Sequence, residues 1–509
     1  MADETGSEPE PDDAAVETTD SDAPKPTENL AAKASQGFLW SLLGMIMLQV
    51  GSFITFVIAA NVLNNEDLGI AAKVLAFTFW MDVLLDLGMG ANIIYDQESG
   101  TTDRVRVAYT VNTAMALFVA GLIFFGAPAI ASFFEIPESA NLFRLLAIPA
   151  MVRGLMQIPD SMLRRDLNFK LRTYVIGTRT LLRSGLTVVF LFIGLGPASL
   201  VLSMVFTGMV ALVLTSYLAK FKPAFRFDWQ LSKEMLKYGL TIFGARAIGM
   251  LWLNGDYLVV TRRRSTEEFG DYWTAFRLPE LLLGNVYALF SAVLFPAYSA
   301  AREKGAKALQ SAYLRSMRLL WLYGAAIAVG LAVVARDFIT VFFPTHPGSV
   351  APMAILSLAG AFVALGFASG DLYNAVGKPR LGLYFGLIGT PILMGGFLLV
   401  VDRGIAAVAL VHLIVIIPYT AFRLGVANHV IGTNWRETLL SLRAGTGAAL
   451  GIVLLAGPIR LWLDAGIVSM LCIIVMGALG AFAGVFLADR NSLSEITDLV
   501  MKGFRHRAA

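Results

Sequence analysis

Long unbroken apolar runs constrain this chain more than any other feature. Phe38 to Leu63 and Ile467 to Ala488 are two of them, and similar stretches recur along the 509 residues. A run of about 20 apolar residues is what an α-helix needs to cross a hydrocarbon core. In lipid every backbone N–H and C=O must be satisfied internally, so a spanning segment is a helix or part of a closed barrel. Barrel strands alternate polar and apolar over about ten residues, and these runs do not alternate. With 57% hydrophobic and 15% charged residues and a mean hydropathy of +0.68, the chain also lacks the polar surface of a soluble protein. The expected fold is an all-α membrane protein.

Fourteen transmembrane helices are expected, near 37–62, 68–94, 107–132, 142–162, 174–194, 197–219, 237–260, 274–298, 317–342, 350–376, 381–400, 404–424, 438–458 and 466–488. The second and eighth carry several polar residues, which at that depth need a wet or protein-lined surface. Residues 1–32 form an acidic tail rich in Pro, Ser and Thr, expected to be disordered. It has no basic start, apolar core or small-residue cleavage site, so it does not read as a signal peptide. Short loops on one side concentrate basic residues, among them Arg104, Arg106, Arg164, Arg165, Lys170, Arg172, Lys220 and Lys222. The other side holds few, with Arg262–Arg263–Arg264 as a local exception. The bias predicts that both termini are cytoplasmic, residues 489–509 included, in a cytoplasmic-type (inner) membrane.

Weak repeats suggest how the helices are grouped. Asn65-Glu66-Asp67-Leu68-Gly69 after the first span parallels Thr266-Glu267-Glu268-Phe269-Gly270 after the seventh. Phe133-Phe134 and Pro137 parallel Phe342-Phe343-Pro344, and Tyr174 to Thr178 parallels Phe385 to Thr390. The matches keep their order at an offset of roughly 200–210 residues, which implies two repeated halves. The expectation is two six-helix bundles, 33–222 and 223–430, with two appended helices in 431–488. Six is an even number, so the bundles would be related by a pseudo-two-fold axis along the membrane normal. A cleft between two such bundles suits alternating access.

Several motifs then resemble those of bacterial oligosaccharide and polysaccharide flippases of the Wzx type, in the branch that includes colanic-acid exporters. These are Asn254-Gly255-Asp256-Tyr257-Leu258, Glu268 to Leu278, Val293-Leu294-Phe295-Pro296-Ala297-Tyr298-Ser299, Leu163 to Phe169, and Ala375-Val376-Gly377-Lys378-Pro379. The resemblance covers about residues 33–430. Trp273 and Arg262–Arg264 depart from the family pattern. The resemblance implies fourteen helices in two bundles, within the superfamily of multidrug, oligosaccharidyl-lipid and polysaccharide exporters. It also implies translocation of a polyprenyl-diphosphate-linked oligosaccharide to the outer leaflet, beside a polysaccharide polymerase and glycosyltransferases as partners.

Such a substrate needs cations for its diphosphate, and arginine pairs phosphate oxygens through a planar fork that stays protonated. Span arithmetic puts Arg153, Arg183 and Arg246 near mid-membrane, with Arg179 one turn from Arg183. These four are the substrate-binding candidates. Asp82, Asp86 and Asp256 are the buried acids, candidates for charge pairing or for ion coupling. Arg277 and Glu280 are expected to pair, with Pro279 kinking the eighth span. Asp160 and Asp371 are expected to cap or hinge their helices.

No catalytic constellation stands out: there is no Gly-rich phosphate loop for ATP, no Gly-x-Ser-x-Gly and no His-Glu-x-x-His. The one cysteine, Cys472, and four scattered histidines suggest neither a metal site nor a disulfide. No cofactor and no nucleic-acid partner is expected. Three rivals stand beside the oligosaccharide flippase. One is an ion-coupled multidrug exporter, which would favour an acid-dominated cavity. Another is a flippase for peptidoglycan precursors. The third is a membrane polymerase or glycosyltransferase, which would carry a large external domain that this chain lacks.

Overall fold

The computed structural model describes residues 26–85, 101–166 and 168–490, and every regular element among them is helical. The first half comprises α1 (Pro26–Val62), α2 (Asn65–Leu85), α3 (Thr101–Phe133), α4 (Ala140–Arg165), α5 (Phe169–Phe192) and α6 (Ala198–Leu218). The second comprises α7 (Trp229–Arg263), α8 (Thr266–Pro279) running on into α9 (Asn285–Glu303), α10 (Ala306–Phe342), α11 (Val350–Ala375), α12 (Arg380–Val400) and α13 (Ile405–Ile431). A short α14 (Trp435–Ser441) leads to α15 (Arg443–Ala456), α16 (Ile459–Trp462) and α17 (Ile467–Ala488).

Twelve segments among the described residues are long and apolar enough to cross a membrane. The seventh and eighth expected spans, α7 and α8–α9, are helical but are not among the twelve. Arg246, Asp256, Arg277 and Glu280 lie on them, and such side chains are tolerated at depth only against protein or water. A second difference lies at the start. α1 begins at Pro26, inside the stretch expected to be disordered. Proline suits the first helical turn, where its missing N–H would be unsatisfied anyway, and Glu28, Leu30, Ala31 and Ala32 are good helix formers. Residues 1–25 and 491–509, which hold most of the two expected tails, lie outside the described residues.

Helix pairing repeats between the halves. In the first, α1 packs on α5, α3 on α4, and α6 on both α4 and α5. In the second, α7 packs on α12, α10 on α11, and α13 on both α11 and α12. Numbering each half from its own first helix, these are the same four pairs.

The halves meet along α2 and α8, with α7 also touching α2 and α3. There the two repeat motifs touch: a Cβ built on Gly69 would collide with the Thr266 carbonyl, and one on Gly270 would lie 3.3 Å from the Gly69 Cα. Asn61 Nδ2 donates to the Phe342 carbonyl and Asn65 Nδ2 to the Thr345 carbonyl, each at 2.8 Å. Arg262 pairs with Glu135. The end of each half's first helix thus reaches the end of the other half's third. Ser265 and Glu268 form a capping box at the start of α8. Burial pushes the Glu268 carboxyl up, but the Arg264 guanidinium and the Ser265 N–H outweigh it and hold it below its ordinary range.

The α15–α17 pair rests on glycine. Gly447 faces Gly484, and Gly451 faces Gly480, so closely that a Cβ on any of them would strike the partner's backbone. In lipid, close backbone approach is a main source of helix association, and small residues permit it. Gly445 seats the pair on Trp321 of α10 in the same way.

Candidate functional site: an arginine-lined cavity

A cavity of about 560 Å³ opens among α1, α2, α4, α5 and α7. One face of α4 supplies Arg153, Gln157, Asp160 and Arg164. Their spacing of four, three and four residues keeps them on one stripe of the helix. α5 adds Arg172 and Arg179, two turns apart, α2 adds Asp82, and α7 adds Arg246 and Met250. The cavity runs from the basic α4–α5 turn inward, while the opposite face is closed by the α2–α8 contact.

Five arginines therefore line the wall against two aspartates, Asp82 and Asp160. Asp82 pairs with Arg153. Asp160 takes both Arg164 at 2.6 Å and Arg172 at 3.0 Å, which makes it an ion-pair hub rather than the helix cap or hinge expected of it. No carboxylate among the described residues lies within 4 Å of Arg179. Among the described residues the wall carries more arginines than carboxylates, and an arginine's planar fork of donors suits phosphate oxygens.

The sequence candidates divide accordingly. Arg153, Arg179, Arg246 and Asp82 come together on this wall. Arg183, one turn further along α5, is not on it; it lies within electrostatic range of Arg179, Asp82 and Arg277. Arg277 stacks over the Trp273 ring at 4.3 Å and pairs with Glu280 at 3.1 Å. After Pro279 the helix loosens into a π turn, Glu280–Gly284, before α9 resumes. Asp86 lies outside the described residues.

Asp256 takes a different place. Its side chain is fully buried in the second half, where Tyr272 Oη donates to Oδ2 at 2.8 Å and His412 Nε2 lies 3.2 Å from the same oxygen. Among the described residues, its other oxygen, Oδ1, has no hydrogen-bond partner. Its partners are a phenol and an imidazole, not the arginines. Sequence reading missed His412 by treating the histidines as scattered. The available signal was an ionisable residue deep in the apolar run Ile405–Pro418.

Comparison with known proteins agrees with this architecture. Residues 58–346 match the family described as polysaccharide biosynthesis protein. The teichuronic acid biosynthesis protein TuaB of Bacillus subtilis is 22% identical over 362 residues, 70% of this chain and 74% of that protein. The succinoglycan biosynthesis transport protein ExoT of Rhizobium meliloti is 23% identical over 323 residues, 62% of this chain and 64% of that one. Among solved structures, the lipid II flippase MurJ in an inward closed conformation superposes with a TM-score of 0.70 at 14% identity, covering 88% of this chain and all of MurJ. An inward-facing multidrug resistance MATE family transporter of the MOP superfamily gives 0.65 at 14% identity, over 78% of this chain and 98% of that one. The family match spans more than half of the chain, which therefore belongs to the polysaccharide biosynthesis protein family, as a multi-pass membrane protein with the fold of the MOP-superfamily transporters.

Proposed function

We propose that this protein flips a polyprenyl-diphosphate-linked oligosaccharide from the cytoplasmic to the outer leaflet, for assembly of a cell-surface polysaccharide. The observation that carries the reading is the wall of five arginines against two aspartates. Such a cluster is costly in a membrane unless an anion completes it, and a lipid-linked diphosphate is an anion that arrives with its tail already in lipid. An exporter of cationic drugs would need the opposite charge balance.

In this reading the twelve apolar spans, together with α7 and α8–α9, make fourteen, in two bundles of six (33–222 and 223–430) about an axis along the membrane normal, with 431–488 appended. Both termini face the cytoplasm of an inner-type membrane. The arginine cavity then opens to the cytoplasmic leaflet, and the α2–α8 seam closes the outer side. Head-group binding neutralises the wall, the bundles rock against one another, the seam parts, and the head group leaves outward. The protein acts as a transporter, not an enzyme, without ATP, and works beside a polymerase and glycosyltransferases that make and use its substrate.

The test is deletion of the gene, followed by mass analysis of polyprenyl-diphosphate-linked glycans. A glycolipid that accumulates and is cleared by wild type but not by Arg246→Ala supports the reading. If no glycolipid accumulates and the surface polysaccharide is unchanged, the oligosaccharide substrate is wrong.

A further inference from the structure

We infer that a second cavity, in the half made by α7 to α13, binds the sugar part of the head group, with sugar rings against Trp252 and Phe276 and hydroxyls bonded by Asn254, Glu280 and His412. The inference rests on the flippase reading and assigns a role to a cavity which that reading does not use.

The cavity measures about 390 Å³, inside the range of about 300–1,000 Å³ typical of small-molecule sites. Its wall holds no arginine or lysine. Anions are therefore poor candidates, in contrast to the first cavity. The wall instead combines aromatic faces with an amide, a carboxylate, an imidazole and the phenols of Tyr257 and Tyr287. A neutral ring with apolar C–H faces and hydroxyl edges matches that mixture. A purely apolar tail would set hydrocarbon against these polar groups, at a cost in binding.

The backbone gives an independent reason. α7 is interrupted at Asn254, whose φ of −139° and ψ of 17° are not helical. The α8–α9 helix is interrupted by the π turn Glu280–Gly284. Both interruptions sit on the wall of this cavity. Irregular backbone at membrane depth is tolerated where it is buried in protein or borders a cavity, π turns are frequent at functional sites, and broken helices commonly build transporter binding sites. Two helices broken at one cavity point to a ligand there.

The side chains are poised for it. The Asn254 amide has Met250 Sδ at 3.4 Å as its partner, a weak acceptor that a hydroxyl would readily displace. Trp252 is supported by Tyr419, with ring centroids 4.6 Å apart. His412 is fixed by Asp256, and Phe276 packs edge-on against His412. Arg246 of the first cavity and Asn254 of the second are eight residues apart on α7, about 12 Å along the helix. One head group can touch both, with its diphosphate on the arginines and its sugars on the aromatic wall.

The test compares two ligands on purified protein in lipid nanodiscs: the glycolipid extracted from the deletion strain, and the bare polyprenyl diphosphate. Asn254→Ala and Trp252→Leu are expected to weaken glycolipid binding by about tenfold and leave the bare diphosphate unaffected. Arg246→Ala is expected to weaken both, and Trp252→Phe to keep glycolipid binding near wild type. Equal weakening of both ligands by Trp252→Leu would mean that the cavity takes the apolar tail, and no weakening of either would mean that it is not a subsite; each overturns the inference and leaves the flippase reading standing. Wild type that binds neither ligand overturns both.

Discussion

Gly69 offers the sharpest test of how the molecule moves. A Cβ at this position would overlap the Thr266 carbonyl oxygen, with the carbonyl carbon at 2.7 Å and the Thr266 methyl at 2.8 Å. The obstacle is backbone, so no rotamer change removes it. Overfilling a close contact costs about 1–3 kcal/mol. That cost falls only on the conformation in which α2 and α8 abut, since the obstacle disappears once the halves separate there. Gly69→Ala should therefore shift the equilibrium toward a parted seam by about 5- to 150-fold. Spin labels at Glu138 and Pro347, exposed residues on the α3–α4 and α10–α11 turns, would report the distance between the halves. The single native cysteine, Cys472, is replaced by serine for this purpose. The expected result is growth of a longer-distance population. Gly121→Ala, where an added Cβ has no neighbour within 4 Å, should leave the distances as in the parent. If folded Gly69→Ala protein gives the parent distribution, the α2–α8 contact is not the moving seam.

Three further outcomes follow from the same geometry. Asp82→Asn removes the partner of Arg153 from a partly exposed pair worth at most about 1 kcal/mol, so melting should move by less than about 2 °C while glycolipid accumulates in cells; a large melting shift with normal transport would reverse that assignment. Asp256→Ala strands the Tyr272 hydroxyl and the His412 ring inside the second half, at a cost of about 1–3 kcal/mol, which thermal unfolding in detergent should register; an unchanged melting temperature would mean that water replaces the carboxylate. Gly451→Leu drives a side chain into the Gly480 backbone and should separate α15 from α17 at about 1–3 kcal/mol or more, read as faster proteolysis at the intervening turn, whereas unchanged cleavage would show that the pair is held elsewhere.

The helical framework was legible because hydrocarbon thickness imposes a length, and the apolar runs display it. α7 and α8–α9 were legible as helices, through their motifs, although neither is among the twelve plainly apolar spans. The arginine wall was partly legible. Periodicity placed Arg179 and Arg183 on one side of α5, and depth along the helix picked out Arg153 and Arg246. Depth fixes height but not position around the cavity, which is why Arg183 falls outside the wall while Arg164 and Arg172, set aside as loop charges, lie on it. Asp256 was singled out and its partner was not, because His412 lies 156 residues away and only the meeting of α7 with α13 brings the two together. Arg262–Arg264, an exception to the loop-charge bias, has a local explanation: Arg262 pairs with Glu135 and Arg264 with Glu268, and Arg263 reaches Asp402 at 4.0 Å.

The seam itself argues for reversibility. Its exposed bonds between the halves include two asparagine amides on carbonyls and the Arg262–Glu135 pair, each worth about 1 kcal/mol or less in such surroundings. Close approach around Gly69 and Gly270 adds to them, and the buried Lys73 donates to Thr266 Oγ1 at 3.2 Å. The exposed polar contacts alone sum to a few kcal/mol, whereas moving a two-state equilibrium from 1:99 to 99:1 takes about 5.5 kcal/mol of differential affinity. A ligand that engages several arginines by charge-assisted hydrogen bonds can supply that. The first helix of each half also reaches the third helix of the other, so both sets of contacts break in one rotation and neither can open alone. Aromatic rings also meet across the seam, with Phe79 stacked on Tyr257 and Trp273 and Phe56 packed on Phe343, so a parted state has to cover those rings with water or lipid.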